Sequence, residues 1–230
     1  MLGDISHLAP GLPWTRGIPL LHPWANRLAE PLVSDDVRLD DNGLPIHGLL
    51  SAHTGWHEGT KDFVGLEVFP YDHTLRIDQE LDGNRLTITT ALTAHDTPVP
   101  IAFGYHPYFT VPAPRSEWRI ELPVDEHLTL DDRLLPTGQR TPAGDLDGPL
   151  GERTFDDLYT LRDGVFALTG GGLRIELRCE HGYAYAQVFA PKIADVICFE
   201  PMTAPAVSPG TVAPGETFSA RFSVSVSPAA

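Results

Sequence analysis

The sequence predicts an all-β domain of antiparallel strands, a sandwich or a barrel, and three observations carry that prediction. The segment TFSARFSVSV near the carboxy terminus alternates Phe218, Ala220, Phe222, Val224 and Val226 with Ser219, Arg221, Ser223 and Ser225. That period of two is expected of a strand with one buried face. HTLRIDQELDGNRLTITTAL reads as two strands joined at Asp82, Gly83 and Asn84, because Gly and Asn supply the positive φ of a tight hairpin. No window carries a helical apolar stripe, and 22 prolines and 21 glycines interrupt the chain at short intervals.

The remaining elements follow from the same signals. DGVFALTGGGLRIELRCEHGYAYAQVFAP predicts strands near residues 165–168, 173–179 and 184–189, with turns at 170–172 and 181–182. The longest stretch without periodicity, residues 131–157, is flanked by strands of the same character. It is therefore expected to be a functional or disordered loop rather than a linker. At 230 residues, 42% of them hydrophobic, the chain has the material for one large core, and a single domain over 1–230 is expected.

Charge and composition exclude several function classes. A formal net charge of −15 opposes phosphate contacts, so neither nucleic acid nor an anionic membrane surface is an expected partner. The start MLGDISHLAPGLPW lacks a basic segment followed by an apolar one, and cytoplasmic residence is expected. Cys179 and Cys198 form neither a disulfide framework nor a zinc or redox spacing, and are read as reduced, buried thiols.

Polar residues with chemical potential fall in local clusters: Asn26 and Arg27 in LLHPWANRL, His47 in LPIHGLL, His106 in FGYHPYF, Asp156 and Asp157 in FDDLY, Gln187 in YAQVF, and Glu200 in ICFEPMT. Glu200 follows the apolar run 196–199 and precedes Pro201, which cannot continue a ladder. A carboxylate there is either paired with an arginine or set in a cleft with a raised pKa. His106 taken alone reads first as a core histidine bonded to backbone. HGLLSAHTGWHEG places His47, His53, His57 and Glu58 close together. Gly55 and the missing zincin glutamate argue against a metal site there, and none is expected. No GxSxG elbow, nucleophilic cysteine motif or phosphate-cradling glycine loop occurs.

Taken in order, these clusters resemble the aldose 1-epimerase (galactose mutarotase) family. RGIPLLHPWANRL, IHGL, GYHPYF, LLPTG with FDDLYT, YAQVFAP and ICFEPMTAP follow the family's motif order from about residue 16 to about residue 222. The resemblance implies a large antiparallel β-sandwich of the galactose mutarotase type, a supersandwich. It further implies cofactor-independent and metal-free interconversion of the α and β anomers of a free hexose such as glucose or galactose. Carried over by motif, Glu200 is the general base at the anomeric hydroxyl and His106 the general acid at the ring oxygen, with Glu200 ionised and His106 protonated. Asn26, Arg27, His47, Asp156 and Gln187 are the sugar-binding residues, with Asp157 an alternative to Asp156. Trp56, Tyr105 and Phe109 are either cleft walls or core. Only about 16 residues precede the first motif, fewer than in the family. That implies missing N-terminal strands, an exposed sheet edge and a possible homodimer. A hexose-6-phosphate epimerase and a non-catalytic carbohydrate-binding sandwich remain as alternatives.

Overall fold

The computed structural model describes residues 2, 16–30, 34, 36–51 and 58–229. Two eight-stranded sheets form its body. The first, here the cleft sheet, runs in spatial order Leu20–Leu21, Gly104–Tyr105, Ile197–Met202, Tyr185–Ala190, Phe155–Leu161, Val124–Leu130 and Pro136–Pro142. Tyr108–Phe109 also pairs with Ile197–Met202. The second, the back sheet, runs Gly148–Pro149, Arg119–Glu121, Phe166–Gly170, Leu173–His181, Thr217–Pro228, Arg85–Ala94, His73–Asp82 and Gly59–Phe63. Among the described residues every pair of strands is antiparallel, as in Leu173–His181 against Thr217–Pro228 and Thr217–Pro228 against Arg85–Ala94.

The sheets pack face to face because their alternate residues are apolar. Ile197 and Phe199 of the cleft sheet and Ile175, Leu177 and Phe222 of the back sheet share one buried cluster. Phe166 stacks on Phe199 with ring centroids 5.1 Å apart, and Tyr105 meets Phe222 at 5.0 Å. The Tyr105 hydroxyl shares a hydrogen bond of 2.7 Å with Thr90 on the opposite sheet, which satisfies the one polar atom this ring brings into the core. Tyr105 and Phe109 are 3% and 1% exposed: both belong to the core and neither to a cleft wall. Trp56, His53 and His57 lie outside the described residues.

The predicted strands are present, as Phe166–Gly170, Leu173–His181, Tyr185–Ala190 and Thr217–Pro228. The hairpin at Gly83 turns through φ 56° between His73–Asp82 and Arg85–Ala94. The expected irregular stretch 131–157 instead contains the edge strand Pro136–Pro142 and the short strand Gly148–Pro149. Pro136–Pro142 is almost wholly exposed, so no buried face imposed an apolar alternation on its sequence. Among the described residues the only helical turn is a 3₁₀ turn at Arg115–Glu117, and no helix is long and apolar enough to cross a membrane.

Candidate active site

The outer face of the cleft sheet carries the polar residues, and the period of two puts them there. In the strand Ile197–Met202, Ile197 and Phe199 point into the core, so Cys198, Glu200 and Met202 project the other way. Gln187 lies directly across from Glu200 and Leu158 across from Gln187, while Asp156 lies across from Phe189. Asp156 therefore shares the Glu200 face. Asp157 has the opposite parity, and its Oδ1 is 3.1 Å from His127 Nε2. The register thus separates two carboxylates that adjacent sequence positions leave equivalent.

His106 reaches the same face by leaving a ladder. Gly104 pairs with Met202, and Tyr108 pairs with Cys198. Between these two short strands, Pro107 has no N–H to offer and restricts the residue before it. His106 and Pro107 thus cross the sheet opposite Glu200, and the His106 N–H donates to the Pro19 carbonyl at 2.9 Å instead. His106 Nε2 comes within 3.1 Å of Glu200 Oε1. The Tyr108 ring stacks on the imidazole at 4.5 Å and 15°.

Asn26, Arg27 and His47 come from two irregular segments that interlock. The His47 N–H donates to the Asn26 carbonyl, the Leu28 N–H to Pro45, and the Leu49 N–H to His22. Gly48, at φ 62°, lies so close to His22 that a Cβ there would be 2.3 Å from its carbonyl oxygen. Asn26, His47 and Leu134, at φ 59°, 63° and 61°, are the positive-φ residues other than glycine among the described residues. All three line one pocket. Such conformations cost energy and persist only where surrounding structure enforces them, which is common at functional sites.

That pocket has a volume of about 430 Å³ and is lined by Glu200, His106, Asn26, Arg27, His47, Asp156 and Gln187, but not by Asp157. On one side, Asn26 Nδ2 donates to Gln187 Oε1 at 3.0 Å and Gln187 Nε2 donates to Asp156 Oδ1 at 2.7 Å. At the rim, Arg27 Nε donates to Asp40 Oδ2 at 2.6 Å. The other Asp40 oxygen accepts the N–H groups of Asn42 and Leu44, each at 2.9 Å. The His47 ring meets His106 edge-on at 5.3 Å. The Nδ1 atoms of His47 and His106 are buried without a hydrogen-bond partner among the described residues.

Sequence reasoning missed Arg38, Asp40 and Tyr108, which also line the pocket. Asp40 carried a turn signal in LDDNG but no sign that the turn forms a wall. Tyr108 sits inside the quoted histidine motif, where its stacking role needs the tertiary geometry.

Burial governs the electrostatics. It pushes the Glu200 carboxyl well above its ordinary range, and the Asp156 carboxylate adds to that push while Arg27 opposes it. Burial lowers His106 to about 3, and Arg38 contributes in the same direction. His47 is lowered first by burial and then by His106, Arg38 and Arg27. Burial also raises Asp156. The expected ionised Glu200 facing a protonated His106 is therefore not what the sugar-free site favours. Both groups are driven toward neutrality, because a charge on either loses its hydration. One proton is left in the contact, and the two groups titrate as a pair. A nitrogen of His106, the sulfur of Cys198 and a carboxylate oxygen of Glu200 lie within 4.8 Å of one another, a set that could hold a metal ion.

Comparison with known proteins bears on the fold and the family. No curated protein matches the chain. Among solved structures, a galactose mutarotase-like protein from Clostridium acetobutylicum superposes with TM-score 0.80 at 20% identity, covering 94% of this chain and 81% of that one. An aldose epimerase homologue from C. elegans gives 0.78 at 16% identity, covering 100% and 88%. A galactose 1-epimerase from Lactobacillus acidophilus gives 0.70 at 16%, covering 92% and 80%. These likenesses show the fold. The family model for aldose 1-epimerase matches residues 14–225, which includes every residue lining the pocket, and the chain belongs to the aldose 1-epimerase family.

Proposed function

We propose that the protein is a mutarotase that interconverts the α and β anomers of an uncharged aldose, a free hexose such as glucose or galactose. The observation that carries this reading is the buried contact of 3.1 Å between His106 and Glu200 on the pocket floor. Ring opening of a hemiacetal requires that the anomeric hydroxyl lose a proton while the neighbouring ring oxygen gains one. A pair holding one proton between two adjacent sites matches that stoichiometry. A binding module gains nothing from two titratable groups buried together, since their desolvation costs stability.

In this mechanism the sugar hydroxyls and Arg27 replace the hydration that Glu200 lacks in the sugar-free site. The proton then moves to His106, leaving a carboxylate to take the anomeric proton and an imidazolium to protonate the ring oxygen. Rotation about the bond between the first two carbons, followed by the reverse transfers, closes the ring as the other anomer. Asn26, Gln187 and Asp156 form a chain of donors and acceptors suited to successive hydroxyls. His47 and Arg27 bind sugar oxygens from the rim.

Charge in the pocket favours an uncharged substrate over a 6-phosphate. Arg27 and Arg38 share the pocket with Asp40 and Asp41, and the Arg27 guanidinium is already matched by Asp40, so the lining carries no surplus of positive charge for a phosphate. Polarimetry on freshly dissolved α-D-glucose and α-D-galactose is the test, with glucose 6-phosphate beside them. Catalytic amounts of protein should hasten the decay of rotation for the free sugars. No acceleration by folded protein across a sugar panel would remove the enzyme reading, and a preference for the phosphate would reverse the charge argument.

A further inference from the structure

Cys198 has no part in the proton transfers, yet it lies directly beside the pocket floor, buried behind its lining. It sits two residues from Glu200 on one strand, so its sulfur projects to the same face. Across the ladder its neighbours are Tyr108 on one side and Phe189 on the other. It packs with Tyr108, Ala194 and Val196, and it is fully buried. A tetrahedral ion with bonds of about 2.0–2.3 Å needs ligand atoms about 3.3–3.8 Å apart. The nitrogen, sulfur and oxygen donors of His106, Cys198 and Glu200, already within 4.8 Å of one another, reach that spacing by side-chain shifts of the order of 1 Å. All three sit on or beside one strand of a paired sheet, so the donors are held rather than assembled on binding. The pocket in front of His106 and Glu200 supplies an open fourth position for water or a sugar hydroxyl.

We infer that His106, Cys198 and Glu200 form a binding site for a thiophilic divalent cation such as Zn²⁺, and that occupation of this site inhibits the enzyme. The mixed nitrogen, sulfur and oxygen set suits zinc far better than magnesium or calcium, which prefer oxygen ligands alone. Binding converts the Cys198 thiol to a thiolate and displaces the proton held between His106 and Glu200, and both protons leave to solvent. The ion then occupies the two groups that a sugar would need for proton transfer. The inhibitory half of the proposal rests on the mutarotase reading; the binding half does not.

Cobalt(II) titration of the metal-free protein separates the two. The wild type and Cys179→Ala should each bind one Co²⁺ with a thiolate-to-cobalt charge-transfer band in the near ultraviolet, displaced by one equivalent of Zn²⁺. Cys198→Ala should lose the band, with Cys198→Ser as the second variant if the alanine form does not fold. Absence of the band in wild type, or its survival in either Cys198 variant, overturns the site. In the polarimetric assay, Zn²⁺ should inhibit wild type at concentrations at least about tenfold lower than it inhibits Cys198→Ala, with full recovery on adding EDTA. Equal inhibition of both proteins overturns the inhibitory role. A cobalt band in a protein that turns over no sugar leaves the metal site standing and removes the mutarotase reading instead.

Discussion

Glu200 and His106 are buried on the pocket floor, and each is held away from its charged form by that burial. This makes Glu200→Gln informative. The amide preserves the shape of a protonated carboxyl but cannot accept a proton, so kcat should fall by about 10²- to 10⁴-fold, the usual contribution of one positioned acid or base. Stability should move the other way. A carboxyl whose pKa is raised by folding contributes stability that is present below the unfolded value of 4.5 and lost as pH rises through the folded value. At pH 8 the variant is freed of that penalty, so its Tm should exceed that of wild type, by about 2–4 °C for each kcal/mol. A Tm below wild type at pH 8 would show that the carboxylate is stabilised in the fold, against the burial argument.

At the scale of elements, the site depends on two irregular segments held by a few close contacts. Asp40 accepts three hydrogen bonds that close the turn beside Arg27, and the two side chains of this ion pair are 12% and 7% exposed. Asp40→Ala should therefore cost about 1.5–3 kcal/mol, the range for hydrogen bonds to a charged group. It should also raise KM at least as much as it lowers kcat, since the proton-transfer pair is left in place. Urea unfolding and steady-state kinetics check the two effects. Gly48→Ala combines φ of 62° with a Cβ 2.3 Å from the His22 carbonyl oxygen. It should separate the 22–27 and 45–50 segments and abolish sugar binding, whereas alanine at the open turn position Gly65, where a Cβ meets nothing within 4 Å, should leave binding intact. Equal effects at the two glycines would show that the segments do not depend on this close approach.

Across the whole molecule, buried histidines set the response to acid. Burial lowers His22, His47, His73 and His106, and His22 Nε2 and His73 Nε2 share a hydrogen bond of 2.8 Å inside the core. Two facing ring nitrogens can hold one hydrogen between them, so protonating both would destroy the contact. A group with a depressed pKa contributes stability that is complete above its unfolded value, 6.5 for histidine, and is lost as pH falls below it. Each such histidine steepens the loss by up to about 1.4 kcal/mol per pH unit in that range. Unfolding free energy should therefore drop steeply between pH 7.5 and pH 5.5, and His22→Phe should flatten the slope if the variant folds. A flat profile in wild type would mean that these histidines titrate alike in the folded and unfolded chains.

Strands with one buried face are legible in the residue order, because a solvated face and a core face impose the period of two seen in TFSARFSVSV and HTLRIDQELDGNRLTITTAL. The sequence also singled out His106, Gln187 and Glu200 on the pocket floor, which stand out among apolar neighbours. It could not show Pro136–Pro142, an exposed edge strand with no apolar face, nor that Tyr105 and Phe109 turn into the core while Tyr108 stacks on His106. Tertiary structure alone decided which of Asp156 and Asp157 faces the pocket, through the cross-strand register. It also decided the protonation of the His106 and Glu200 pair. Register and desolvation are properties of what lies across a sheet and above a side chain, and neither is written in the residues next to it along the chain.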